Sequence, residues 1–297
     1  MGDALTWVDL LDEAESRHGE RPALRDLCHP HRPALTWQEL ADRARALAAG
    51  LLTLGVQTQE RVGVLTGLSA DALCCDLAVQ SVGAVCVFLP PHLRDDSAVE
   101  LLRRSRCRVL FVDDDAALAW LLPLRAALET VARVIVFTAN RSDHAEGPSG
   151  ATYADLTGLM ADPALGGDWG GATDWAVSAD DLIQTGCEQL RAQGAASLAL
   201  RGRSVTRDSV SAVVFTSGLA GIPKGVQLTH GNLLSTATGL LRALSIDAND
   251  VQLLTLPLCQ ARGLLAWRLA VLAGTLCGVG AGPQRLLEDF RGVCPTF

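Results

Sequence analysis

Lysine is almost absent from this sequence. The 297 residues include twenty-five basic side chains, and Lys224 is the one lysine among them. Positive charge is short overall: the formal net charge is −8, which argues against nucleic-acid backbones and anionic membrane surfaces as natural partners. An anionic small molecule would have to be attracted locally instead of by a global field. No long apolar run is unbroken. The most apolar stretch, Leu264 to Gly282, is interrupted by Arg268 and by Gly274, Gly278, Gly280 and Gly282, and reads as helix, turn and buried strand, with no transmembrane segment. The N-terminus lacks a basic region followed by an apolar core, so no signal peptide is read and a cytoplasmic location is expected. Met1-Gly2 with Thr6 fits the short myristoylation pattern and is read as chance. No CxxC pair occurs. The nine cysteines (Cys28, Cys74, Cys75, Cys86, Cys107, Cys187, Cys259, Cys277 and Cys294) lie mostly inside apolar runs and read as reduced core thiols. Cys28-His29-Pro30-His31 has metal-like residue types, but Pro30 and Arg32-Pro33 fit a hairpin loop better than a zinc site.

What is present is a globular composition, 49% hydrophobic and 20% charged. The lone lysine sits in its most loop-like segment, where the apolar run Val213-Val214-Phe215 breaks into Thr216-Ser217-Gly218-Leu219-Ala220-Gly221-Ile222-Pro223-Lys224-Gly225 and then resumes toward Thr229-His230. An ammonium on a flexible stem suits a single phosphate oxygen, whereas arginine is a planar fork. Glycines let the backbone approach a phosphate and turn N–H groups toward it. The plainer reading is a solvated turn.

The run from Thr216 to Asn232 resembles the phosphate-binding signature of the adenylate-forming superfamily: acyl-CoA synthetases, nonribosomal peptide adenylation domains and luciferases. Thr216, Ser217, Gly218, Gly221, Pro223, Lys224, Gly225, Thr229, His230 and Asn232 match its pattern. Leu219 and Ala220 depart from it, standing where the family carries two consecutive hydroxyl residues. A hydrogen bond to a charged group contributes roughly 1.5–3 kcal/mol, so each lost hydroxyl is expected to weaken nucleotide binding about tenfold to a hundredfold.

Along the chain, Val8, Leu11 and Ala14, with Leu5, space one helical face, ended at Gly19. Ala23-Leu24-Arg25 and Ala34-Leu35-Thr36 bracket a small hairpin, and Thr36-Trp37-Gln38-Glu39 forms a capping box for a helix that stops at Gly55. Strands at Val62–Leu65, Val85–Leu89, Arg108–Val112 and Arg133–Phe137 alternate with helices at Ala70–Val82 and from Ser97-Ala98-Val99-Glu100, which predicts an α/β fold with parallel sheets flanked by helices. Residues 1–137 form a first α/β subdomain, 138–206 a variable insert with one helix near Asp181 to Arg191, and 207–297 a phosphate-loop subdomain. Trp169 and Trp175 are read as pinning the insert to the body. Helices are predicted at His230–Leu244, through Trp267, and at Leu286–Arg291, with a strand at Val251–Thr255.

The resemblance implies ATP with Mg²⁺ as the nucleotide, a fatty carboxylate as the acid, and coenzyme A as acceptor, most like the long-chain acyl-CoA synthetases. Thr216, Ser217, Gly218, Leu219, Ala220, Gly221, Pro223, Lys224 and Gly225 would bind the ATP phosphates. Gln260 of Leu256-Pro257-Leu258-Cys259-Gln260 stands where the family has a histidine near the acyl pocket, and glutamine cannot titrate near neutral pH. The family's adenine, ribose and catalytic-lysine segments are not found in the sequence, so the chain is expected to be an N-terminal portion of such a ligase, inactive alone. A non-catalytic scaffold and a fatty acyl-AMP ligase serving a carrier protein remain alternatives. An incomplete sheet is expected to leave a strand edge near Leu276 to Val279 open to self-association, with Leu264, Leu265, Trp267 and Leu276 partly uncovered.

Overall fold

The computed structural model describes residues 6–91, 96–137, 174–216 and 223–297. In chain order the elements are α1 (Trp7–His18), β1 (Pro22–Asp26), β2 (Leu35–Thr36), α2 (Trp37–Thr53), β3 (Arg61–Leu65), α3 (Ala70–Ser81), β4 (Val85–Phe88), α4 (Asp96–Ser105), β5 (Val109–Val112), α5 (Asp115–Leu121) and β6 (Arg133–Val136). They continue as β7 (Ala176–Ser178), α6 (Ala179–Gln193), α7 (Ala196–Arg203), β8 (Val210–Thr216), β9 (Lys224–Thr229), α8 (His230–Leu244), β10 (Val251–Leu254), α9 (Ala261–Ala273), β11 (Leu276–Val279) and α10 (Leu286–Val293).

Two sheets result. One has the order β10-β11-β1-β2, the other β7-β6-β5-β3-β4-β8-β9. Neighbours are parallel except β1/β2 and β8/β9, which are the two local hairpins. The α/β reading with parallel sheets flanked by helices is what the chain adopts.

Local chemistry explains most boundaries. Thr36 accepts from the Glu39 N–H while the Glu39 carboxylate takes the Thr36 N–H at 2.8 Å, which fixes the start of α2. After α2 the chain turns at Gly55 with φ +78, a conformation that favours glycine. Ser69 caps α3 through the Ala72 N–H. Every α3 residue from Asp71 to Ser81 is buried, as befits a helix packed on all sides between layers. The principal core is the apolar layer around Trp37, Leu47, Leu73, Leu77, Leu264 and Trp267; a second cluster, with Leu101, Leu118 and Leu121 from α4 and α5, covers the other face of the larger sheet.

Three expectations are corrected. Ser97 lies inside α4, which begins at Asp96, so it is not the cap. Within 174–206 the chain forms not one helix but β7, α6 and α7, and β7 extends the larger sheet beside β6. Helix α6 sits so close to α2 that a Cβ on Gly186 would lie 1.8 Å from the Ala46 carbonyl oxygen. Trp175 is buried and donates from Nε1 to the Val131 carbonyl at 2.8 Å, the pinning role expected of it; Trp169 lies outside the described residues.

The third correction concerns the edge. Strand β11 is interior: Cys277 pairs with Gln252 of β10 on one side and with Leu24 of β1 on the other. Leu264 and Trp267 are fully buried, and Leu265 and Leu276 half-buried. The sequence could not reveal this, because the covering strand β1 lies some two hundred and fifty positions upstream, Leu24 against Cys277. Large apolar side chains that are exposed include Leu286, Leu287 and Phe290 of α10, Phe297, and, elsewhere, Leu200, Val226, Leu244 and Leu256.

Candidate functional site

Strands β8 and β9 form an antiparallel hairpin at one side of the larger sheet, with Thr216 paired directly opposite Lys224 and Phe215 opposite Gly225. The segment between them therefore leaves and re-enters the sheet at those two residues. Thr216 and Lys224 are both exposed at its mouth, and the Thr216 hydroxyl lies 3.5 Å from the Lys224 carbonyl oxygen. Pro223 and Gly225 flank the lysine. Of the residues proposed from sequence for the phosphates, Thr216, Pro223, Lys224 and Gly225 are thus brought together; Ser217, Gly218, Leu219, Ala220 and Gly221 lie outside the described residues.

The hairpin is anchored at its far end by buried polar groups. Its register shifts between Val210 and Ala212. Ser211, in that irregularity, donates to Gln80 Oε1 at 2.9 Å and accepts from Gln80 Nε2 through its carbonyl at 3.1 Å. At the end of β9, Thr229 and Asn232 cap α8 reciprocally, each side chain holding the other's backbone N–H at 3.1 Å. Two of the motif residues thus have a local structural task, the start of α8.

Between them, His230 is fully buried, and its Nδ1 accepts the Trp7 N–H at 3.3 Å. Burial first, and the nearby Arg268 charge second, push its pKa down to about 3, so the imidazole is neutral with its proton on Nε2. Arg268 is itself fully buried on α9; its Nη2 donates to Asp76 Oδ1 at 2.6 Å, and its guanidinium lies 4.9 Å from the centre of the Trp7 ring. Trp267 Nε1 donates to the other oxygen of Asp76 at 2.9 Å. The polar layer beneath the hairpin therefore links α1, α3, α8, α9 and β8. Sequence reading missed Asp76, Gln80, Ser211 and this role of Arg268. The available signal was a charge inside an apolar run.

Gln260 is exposed at the start of α9, where its N–H bonds the Pro257 carbonyl at 3.0 Å and its side chain does not cap the helix. It does not line the cavity of about 310 Å³ that Lys224, Gly225 and Gln227 share with Val213, Phe215 and Val87. Elsewhere, His29 Nδ1 lies 3.0 Å from Asp26 Oδ2, and among the described residues no group of three His, Cys, Asp or Glu side chains could hold a metal ion. The nine cysteines are free thiols, and burial pushes Cys74, Cys107 and Cys277 up to about 12. Among the described residues no helix is long and apolar enough to cross a membrane.

Comparison with known proteins agrees with this architecture. The chain is 25% identical over 251 residues to long chain acyl-CoA synthetase 8 of Arabidopsis thaliana, covering 82% of this chain and 31% of that protein. It is also 25% identical to a long-chain-fatty-acid–CoA ligase of Thermus thermophilus, covering all of this chain and 48% of that one. The chain thus spans less than half the length of these relatives. A long-chain-fatty-acid-CoA ligase of Archaeoglobus fulgidus has the same fold, with a TM-score of 0.74 at 22% identity over 99% of this chain and 50% of its own. Residues 11–297 match the family described as AMP-binding enzyme, and with a parallel-sheet scaffold presenting the Thr216–Lys224 hairpin, the chain belongs to that family.

Proposed function

We propose that the β8–β9 hairpin binds the β- and γ-phosphates of ATP, and that the chain supplies this part of a ligase that activates a fatty carboxylate as acyl-AMP and then forms the coenzyme A thioester. The observation that carries the reading is the pairing of Thr216 with Lys224 across the mouth of the loop. It sets a hydroxyl and the chain's one ammonium at the two ends of a glycine-containing turn. Backbone N–H groups of Ser217 to Gly221 would complete the cradle, and the Lys224 ammonium would hold one phosphate oxygen. Positioning and electrostatic stabilisation are the protein's main contributions to such a transfer. The described residues gather no group of three His, Cys, Asp or Glu side chains at the hairpin, so they do not themselves provide a magnesium site.

The acceptor is read as coenzyme A, with a carrier protein as the alternative. A non-catalytic scaffold is the second reading, carried by Leu219, Ala220 and Gln260, which depart from the family pattern. Calorimetric titration with ATP and Mg²⁺ separates these readings. Binding that weakens at least about tenfold in Lys224→Ala, the loss of one charge-assisted contact, supports the nucleotide site. Identical titrations for wild type and variant, or no binding by either, favour the scaffold.

A further inference from the structure

A cluster of arginines gathers at the end of the larger sheet where β3 and β5 begin. The two strands start side by side, with the Arg108 N–H bonded to the Arg61 carbonyl at 2.9 Å. Helix α4 ends over them, and Arg61 Nη1 donates to the Ser105 carbonyl at 3.1 Å. Arg61, Arg104, Arg106 and Arg108 thereby line one open cavity of about 450 Å³ together with Gln59 and Glu60. Carboxylates only partly offset this charge: Glu60 reaches Arg108 at 3.6 Å, and Glu100 is shared between Arg104 at 2.5 Å and Arg103 at 4.0 Å. Arg106 is exposed, has φ +50, and makes no ion pair among the described residues. A net positive cluster on a chain of formal charge −8 is a local reversal of sign.

The cluster does not stand alone. Arg61 and Arg104 also line the cavity of about 310 Å³ that Phe215 and Pro223 share with Ser105, Lys224 and Gln227, above the buried Val87 and Val213. The two cavities share these arginines, so a basic bowl continues into a trough of mixed lining, apolar at Phe215 and Pro223, that leads to the hairpin. We propose that this surface takes an acidic, amphipathic segment of a partner protein, with carboxylates among the arginines and apolar side chains in the trough. Charge complementarity steers such an encounter and fixes its register. A nucleic acid fits less well: it offers phosphates but little to fill the trough, and the acidic remainder of the chain repels a long polyanion. A segment seated here is delivered beside Lys224, next to the candidate nucleotide loop.

The test is fluorescence anisotropy with a fluorescein-labelled peptide rich in glutamate with interspersed leucine, titrated with the full chain at low and moderate salt. Wild type binds, and Arg104→Glu with Arg106→Glu weakens binding by about tenfold or more, as for reversed charges facing a charged partner. Arg17→Glu with Arg242→Glu alters net charge identically at a separate cavity between α1 and α8 and leaves binding within about twofold, as expected of charges outside the contact. If the reversed variant melts early, Arg104→Gln with Arg106→Asn decides the matter, since asparagine tolerates the positive φ. Absence of wild-type binding, or equal loss in both reversals, overturns the proposal. So does stronger competition by a single-stranded oligonucleotide or by pyrophosphate through the same arginines. Nucleotide affinity is measured separately by Lys224→Ala, so failure here leaves the ATP reading untouched.

Discussion

Asp76 and Arg268 lie 192 positions apart in sequence, yet form a fully buried ion pair 2.6 Å long between α3 and α9. Trp267 occupies the second carboxylate oxygen and the guanidinium rests near the Trp7 ring. Arg268 Nε and Nη1 are buried with no hydrogen-bond partner among the described residues, so Asp76 carries most of the compensation. Removing one partner strands the other. Asp76→Asn is expected to cost about 3–5 kcal/mol, whereas Asp76→Leu with Arg268→Met together are expected to cost far less, because no buried charge is left over. Urea midpoints of the three proteins check this. A single variant as stable as wild type would show that Arg268 finds another counter-charge.

The stability of the chain should also report the neutral His230. Its folded pKa is pushed to about 3, below the ordinary value of 6.5 that it regains on unfolding. Between those values the unfolded state binds the extra proton, so stability is retained above pH 6.5 and lost as pH falls toward 3, at about 1.4 kcal/mol per pH unit within that window. His18, lowered chiefly by desolvation, contributes with the same sign. Denaturation curves at pH 7 and pH 5 should therefore show a loss that is smaller in His230→Gln. Equal losses in the two proteins would mean that His230 is protonated in the folded state.

Gly186 sets the spacing between α6 and α2. A Cβ there meets the Ala46 carbonyl at 1.8 Å, and one on Gly50 of α2 meets the Leu182 carbonyl at 2.5 Å, so both contacts are against backbone that cannot turn aside. Gly186→Ala should gain helix propensity yet lose about 1–3 kcal/mol through overpacking, seen as a lower thermal midpoint. Gly194, with open space around its α-carbon but φ +68, is a control for backbone strain alone. A stabilised Gly186→Ala would place α6 farther from α2.

Much of this fold was legible where the signal is local. The Thr36–Glu39 capping box, the β1–β2 hairpin and the helix from His230 to Leu244 fall where sequence periodicity and capping chemistry put them. What was not legible depends on distant pairing. The interior position of β11 requires β1, and the charge of Arg268, readable only as an interruption in an apolar run, acquires its meaning from Asp76 on a different helix. At the candidate site the motif located Thr216 and Lys224, but not the buried anchor at the other end of their hairpin, since Gln80 and Ser211 are common residues until the fold joins them.

The two departures from the family pattern offer the sharpest test of the loop. Leu219 and Ala220 replace hydroxyl residues in a segment whose ends, Thr216 and Lys224, are fixed in register by the β8–β9 ladder. If the loop cradles phosphate, Leu219→Thr with Ala220→Thr adds charge-assisted hydrogen bonds, each worth roughly 1.5–3 kcal/mol, and ATP affinity should rise about tenfold or more. The anchors at Ser211 and Thr229 lie at the opposite end of the hairpin, so the fold should tolerate the change with an unaltered melting curve. Calorimetry with ATP and Mg²⁺ reads the gain, and Lys224→Ala in the same background should reverse most of it. Unchanged affinity in a folded variant would mean that the loop does not face phosphate.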